Sequence, residues 1–150
     1  YAGFEELFRT RGIREVACLA HVRRKFFDIA KDQGSSIAAE AVARIAELYA
    51  IEDECRGRPP DERARIREAK ARPVFDALSG WLQGQLQKVS AKSDLAGAIR
   101  YALTRLPRLE VYLSDGRLEI DNNAAEKMAL IWAMLFILRA PPILGVPHSQ

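Results

Sequence analysis

Apolar residues recur three and four positions apart through most of this chain, the spacing of helices with one buried face. Phe4, Leu7 and Phe8 begin the pattern, and Gly12 is a natural stop. Ile13 to Leu19 is a short apolar run that reads as a buried strand. A second helix starts near His21, buries Val22, Phe26, Ile29 and Ala30, and ends at Gly34-Ser35-Ser36. Ile37, Ala41, Ile45 and Leu48 then form one stripe running towards Cys55, and Gly57 to Pro60 breaks it. The next segment carries Ile66 and Ala69, meets Pro73, and resumes as Val74, Leu78, Trp81, Leu82 and Leu86. Pro73 should kink or restart that helix, because proline lacks a donor and clashes one turn back. Ser93 is placed to cap a helix whose inner positions are Leu95, Ile99, Ala102, Leu103 and Leu106. Pro107 is expected to open a last short turn before Tyr112 and Leu113. Trp81, Trp132 and the Phe and Tyr residues fall on apolar stripes and read as core.

Composition narrows the class. A chain of 150 residues with 49% hydrophobic and 29% charged content suits a globular domain with a real core. The net charge of +3 permits nucleic-acid binding without demanding it. Cys18 and Cys55 give no disulfide framework and fit a reducing cytoplasm. No basic segment followed by an apolar run opens the chain, and position 1 is not Met, which reads as a piece of something longer. Met128 to Leu138 is strongly apolar but far short of the roughly 20 residues of a membrane span, so no membrane association is expected.

Charge is unevenly spread. Between Arg56 and Arg72, seven basic residues (Arg56, Arg58, Arg63, Arg65, Arg67, Lys70, Arg72) face three acidic ones (Asp61, Glu62, Glu68), more than the whole chain's excess. Arg23-Arg24-Lys25 lies on the solvent side of the second helix. Clustered cations suit phosphate contacts, so Arg23, Arg24, Lys25, Arg63, Arg65, Arg67 and Lys70 are the candidate DNA-binding residues. Solvated helix faces have the same composition.

Two segments carry residue types with chemistry. Cys18-Leu-Ala-His21 has metal-ligand types at a short gap, but zinc takes about four ligands and the chain adds only Cys55 and His148. A Cys18 that packs and a His21 that bonds locally is the simpler reading. Asp115-Gly-Arg-Leu-Glu-Ile-Asp-Asn-Asn-Ala-Ala-Glu126 reads as a turn, an extended piece and a capped helix. Asp121 suits its N-cap, with Asn122 and Asn123 beside it. Glu126 then projects from a rigid element, where a metal-binding or general-base carboxylate is well held.

Three motifs together resemble the transposases of the insertion-sequence-66 family. They are Tyr1-Ala-Gly-Phe4, Ala17-Cys-Leu-Ala-His-Val-Arg-Arg-Lys-Phe-Phe-Asp28 and Asp115 to Glu126; Ala39-Glu-Ala and Ile99-Arg-Tyr-Ala-Leu103 in the helical region are similar too. The resemblance runs from Tyr1 to about Glu126. It implies a mainly α chain: the C-terminal portion of a ribonuclease-H-like α/β catalytic domain, with one or two short strands and a large helical insertion. On that reading residues 1–34 belong to the ribonuclease-H-like portion and 35–113 to the insertion. Residues 114–138 return with the third catalytic carboxylate, and 139–150 are a divergent tail.

The implied activity is metal-dependent DNA cleavage and strand transfer by an Asp-Asp-Glu triad. In such sites Mg²⁺ activates the attacking oxygen and stabilises the leaving one during in-line attack on phosphorus. Glu126 matches the third carboxylate, catalytic and metal-binding, while Asp121, Asn122, Asn123, Cys18 and His21 match supporting positions. The partners implied are the element's terminal inverted repeats and target DNA, with homo-oligomer formation compatible, in the bacterial cytoplasm at the nucleoid. A non-catalytic helical module that binds DNA or protein is the alternative.

Two departures from the family pattern stand out. Relatives carry their second Asp just before Tyr-Ala-Gly-Phe, with the first Asp further upstream. Of the triad this sequence holds Glu126 alone, so the chain by itself is expected to be inactive. After Lys127 the family's basic, Gly-containing segment is replaced by the apolar run to Leu138 and Pro141-Pro142, as a frameshift would produce. An all-round apolar helix needs burial, so self-association of the isolated chain is expected.

Overall fold

The computed structural model describes residues 18–121, which form helices and turns with no strand among them. The helices are α1 (Leu19–Gln33), α2 (Ser36–Cys55), α3 (Pro60–Ile66), α4 (Arg72–Leu86), α5 (Asp94–Leu109) and α6 (Val111–Ser114), with a π-helical segment at Arg67–Ala71 between α3 and α4. The early helix on Phe4 to Phe8, most of the expected strand, and everything after Asp121 lie outside the described residues. None of the described helices is long and apolar enough to cross a membrane.

Each boundary has a local cause. Gly34 takes the left-handed conformation (φ 63°) that closes α1, and its N–H donates to the Ala30 carbonyl. Ser35 opens α2 at once, its hydroxyl accepting from the Ala38 N–H at 3.2 Å. Gly57 (φ 75°) turns the chain after α2, and Pro60 starts α3 where a missing N–H costs nothing. Ser93 caps α5 by accepting from the Ala96 N–H at 3.1 Å, as its sequence position predicts.

Pro73 acts as expected, by a specific device. The preceding turn widens into the π-helical segment, in which the Arg72 N–H donates to the Arg67 carbonyl. That extra residue per turn accommodates a ring that an α-helix would drive against the carbonyl four residues back. Pro107 departs from expectation. It lies inside the last turn of α5 rather than opening a new one. Its ring faces solvent while Leu106 and Leu109 are buried beside it, so core packing holds the turn despite one missing donor.

α1 packs on α2 and α5, and α4 packs on the same two helices, giving a four-helix bundle. The short links make sequential neighbours antiparallel. The fourth pair is antiparallel as well, since Gln33 at the end of α1 donates to Asp94 at the start of α5 (2.8 Å). Leu19, Val22, Phe26, Ile45, Leu48, Leu78, Leu82, Ile99 and Leu106 share one core. α1 therefore packs in the same core as the helices of residues 35–113. One end of the bundle gathers the start of α1, the end of α2, the π-helical segment, the end of α5 and the returning segment 115–121.

Candidate functional site

At that end the returning segment is fastened to the helices at three points. The first is the start of α1. Cys18 occupies the N-cap position in extended conformation, but its side chain caps nothing. Asp121 does so across the fold: its Oδ1 accepts from the Ala20 N–H at 2.9 Å. The same oxygen accepts from the Tyr49 hydroxyl at 2.8 Å and from the Cys18 thiol at 3.7 Å. The Leu19 N–H donates to the Ile120 carbonyl at 3.3 Å. Two of the four orphan donors of α1 are thus satisfied by the returning segment, and the helix begins at Leu19, two residues earlier than its apolar spacing predicts.

Asp121 is therefore a helix cap, as its type suggests, yet of α1. The helix that it was expected to open lies outside the described residues. Burial first, then the bond to Asp121, pushes the Tyr49 phenol well above its usual range, so Tyr49 is a neutral donor at any working pH. An open pocket of about 400 Å³ lies beside this contact, lined by Ala20, Arg23, Ala46, Tyr49 and Asp121.

The second fastening is a buried ion-pair centre. Arg67 on the π-helical segment is 0% exposed. Its Nε and one terminal nitrogen donate to the two oxygens of Glu52 (2.9 and 2.5 Å), and the other donates to the carbonyls of Tyr112 (2.9 Å) and Asp115 (3.2 Å). Its guanidinium also lies 5.1 Å from the centre of the Tyr112 ring. Arg63 adds bonds to Glu52 (3.0 Å), the Leu118 carbonyl (3.4 Å) and Glu119 (2.9 Å). Two cations converge on the one largely buried carboxylate of Glu52, and their remaining donors hold the backbone of the returning segment. Burial, with Glu52 nearby, pushes the Tyr112 phenol and the Cys55 thiol upward.

The third is a close approach. A Cβ at Gly116 would sit 1.7 Å from the Pro60 carbonyl oxygen, so only glycine lets this backbone lie against the start of α3. Beside it Asp115 accepts from the Arg117 N–H (3.0 Å) and guanidinium (2.9 and 2.7 Å), which lowers its carboxyl to about 2.

The sequence-predicted residues separate accordingly. Cys18 and Asp121 come together; His21 is exposed in the first turn of α1. Asn122, Asn123 and Glu126 lie outside the described residues. Arg23, Arg24 and Lys25 are exposed on α1, with Arg23 near the Phe27 ring (5.9 Å) and Lys25 near the Tyr101 ring (4.7 Å).

The Arg56 to Arg72 stretch is largely committed to carboxylates. Arg67 offers no surface to a phosphate, and the Arg63 side chain is 15% exposed. Lys70 pairs with Glu54, and Arg65 is exposed, 3.7 Å from Asp61. Arg72 pairs with Glu68 and Glu110.

Glu52 and Tyr49 escaped the sequence reading. Tyr49 left no signal, but Glu52 did. Glu52-Asp53-Glu54 puts three acids in the last turn of α2, against the helix dipole, with no basic residue among them. Such a turn needs cations from elsewhere.

Comparison with known proteins agrees with the motifs. Residues 1–130 match the Transposase IS66 family. Uncharacterized protein y4qI of Sinorhizobium fredii (strain NBRC 101917 / NGR234) is 39% identical over 134 residues, and uncharacterized protein y4jD of the same organism is 38% identical over 133. Each alignment covers 85% of this chain but only 25% and 26% of those proteins, so the chain spans about a quarter of the length of the curated relatives it matches. No solved structure matches it.

Proposed function

Because the chain belongs to the IS66 transposase family, we propose that it forms the part of a DNA transposase that carries and positions the third catalytic carboxylate, Glu126. In this reading the four-helix bundle is the insertion of a ribonuclease-H-like catalytic domain. Its task is mechanical: it presents the returning segment at a fixed place. The observation that supports this best is the triple fastening of residues 115–121 through Gly116 on Pro60, Arg67 and Arg63 on Glu52, and Asp121 on the start of α1. A carboxylate five residues beyond such an anchor begins from a defined origin, which positional catalysis requires.

Mg²⁺ is the cofactor of this reading. Among the described residues no three His, Cys, Asp or Glu gather as a metal site. Oδ1 of Asp121 is already occupied by three donors, which suits anchoring more than ligation. Glu126 is the residue we assign to the metal, its hard oxygens matching Mg²⁺. When bound, Mg²⁺ supplies charge stabilisation for in-line attack on phosphorus. The protein's own contribution is to hold Glu126, with Asp121, Cys18 and Tyr49 ordering its surroundings. Glu126 is the one triad member among these 150 residues, so the isolated chain is expected not to cleave DNA.

The test is Mg²⁺-dependent cleavage of duplex DNA ending in the element's terminal inverted repeats, with the chain expressed in frame with its flanking coding sequence. Loss of cleavage in Glu126→Gln, with folding intact, supports the reading. Cleavage that survives Glu126→Gln sinks the assignment of Glu126. Binding with no cleavage in any form favours the non-catalytic module instead.

A further inference from the structure

Phe27 departs from the sequence reading, which counts the Phe residues as core. Among the described residues it is the large apolar side chain left exposed, at 46%. The pocket beside Asp121 shows how the outer faces of α1 and α2 meet. Ala20 and Arg23 of α1 line it together with Tyr49 and Ala46 of α2. Because the two helices are antiparallel, each step of three or four along one matches the same step back along the other. Ala20 opposite Tyr49 and Arg23 opposite Ala46 therefore set Phe27 opposite Val42, and Ala30 opposite Ala39.

Beyond the pocket these two rows are wholly apolar. Phe27 and Ala39 are exposed, while Ala30 and Val42 are half-buried against the core. The result is an open groove from Ala20 to Ala30, about 15 Å long at the helical rise. Tyr49 and Asp121 bound it at one end.

The chain supplies a segment that fits this groove in length, chemistry and reach. Met128 to Leu138 holds eleven residues, none of them charged. As a helix it measures about 16 Å. Residues 122–127 join it to Asp121 at the groove's end, and six residues span up to about 20 Å. The segment before Cys18 ends at the same place but holds six charged residues between Glu5 and Glu15. An apolar groove offers those charges few partners.

We propose that Met128 to Leu138 docks in the groove between α1 and α2 of its own chain, against Phe27, Ala30, Ala39 and Val42. Removal of its apolar surface from water drives the contact. The self-association expected from the sequence is thereby replaced by an intramolecular seat. Glu126 is then held from both sides, by the anchor at Asp121 before it and by the docked segment after it. The docking itself does not depend on the transposase reading.

The experiment uses the full chain carrying Trp81→Phe, which leaves Trp132, inside the segment, as the single tryptophan. Docked Trp132 should emit at short wavelength and resist acrylamide quenching at every protein concentration. Phe27→Glu should shift that emission to the red and raise quenching towards the level of the urea-unfolded chain, with cooperative urea unfolding retained. Ala46→Glu, at an exposed position nearer the pocket, repeats the test should Phe27→Glu unfold the bundle. Ala77→Glu, the same charge at an exposed position of α4, should leave Trp132 as in the parent.

Trp132 open to acrylamide in the parent overturns the proposal, as does an equal response in the groove variants and the Ala77 control. Protection that falls on dilution, with a dimer on size exclusion, gives the groove to a second copy's segment and overturns it too. Failure of the transposase reading is seen in cleavage, and leaves these fluorescence outcomes unmoved.

Discussion

Two arginine-rich segments of this chain look alike in sequence and have opposite fates. Arg23-Arg24-Lys25 stays at the surface of α1. Arg63 and Arg67, from the stretch with the larger charge excess, turn inward onto Glu52 and hold the returning segment. The difference is set by what stands opposite. α2 ends in Glu52-Asp53-Glu54, and the π-helical segment faces that acidic turn, whereas the first half of α1 meets Tyr101 on α5, beside Arg105. A local excess of positive charge therefore says little about nucleic-acid contact until the opposing carboxylates are located.

The contrast is broken most forcefully by truncating one member of each group to the same residue. Arg67→Met should destabilise the chain by about 3 kcal/mol in urea unfolding, since it leaves a nearly buried Glu52 short of a cation and two carbonyls short of donors. The lower end of the usual range applies because Arg63 remains on Glu52. Arg24→Met should change stability by less than about 0.5 kcal/mol, as for other exposed positions. Similar losses at both sites would mean that the distinction between anchoring and surface arginines is false.

A second test concerns the close approach beside that centre. Gly116→Ala should cost about 2 kcal/mol, because the new methyl meets the Pro60 carbonyl and backbone cannot step aside as a flexible side chain would. Wild-type stability would show that the segment docks less closely than described. The smallest effect is expected where only one hydrogen bond changes. Tyr49→Phe should cost about 1 kcal/mol and should leave α1 helical content unchanged, because Asp121 still accepts from Ala20. A loss as large as that of Arg67→Met would promote the Tyr49 contact to the main fastening.

Much of the helical layout was legible in the sequence. Ala41, Ile45 and Leu48 and Leu95, Ile99, Ala102 and Leu106 are buried as their spacing predicts, Ile37 and Leu103 are only half-buried at the core's edge, and Gly34, Gly57 and Ser93 act at the boundaries where their chemistry places them. These depend on local geometry, which the sequence states directly. The start of α1 was misjudged by two residues because its cap comes from Asp121, 101 positions away from Ala20. Pro107 was misjudged because burial of Leu106 and Leu109 outweighs one missing donor. Of the candidate site, the sequence showed that Cys18 and Asp121 belong to motifs, but not that they touch.

What the sequence determined by itself is the family, through motifs that match residues 1–130, and the helices, through period and caps. Only the tertiary structure decided which charges face one another. Pairing across the bundle depends on antiparallel packing that no local window contains. That packing put Glu52 against Arg63 and Arg67, and Asp121 on the first turn of α1.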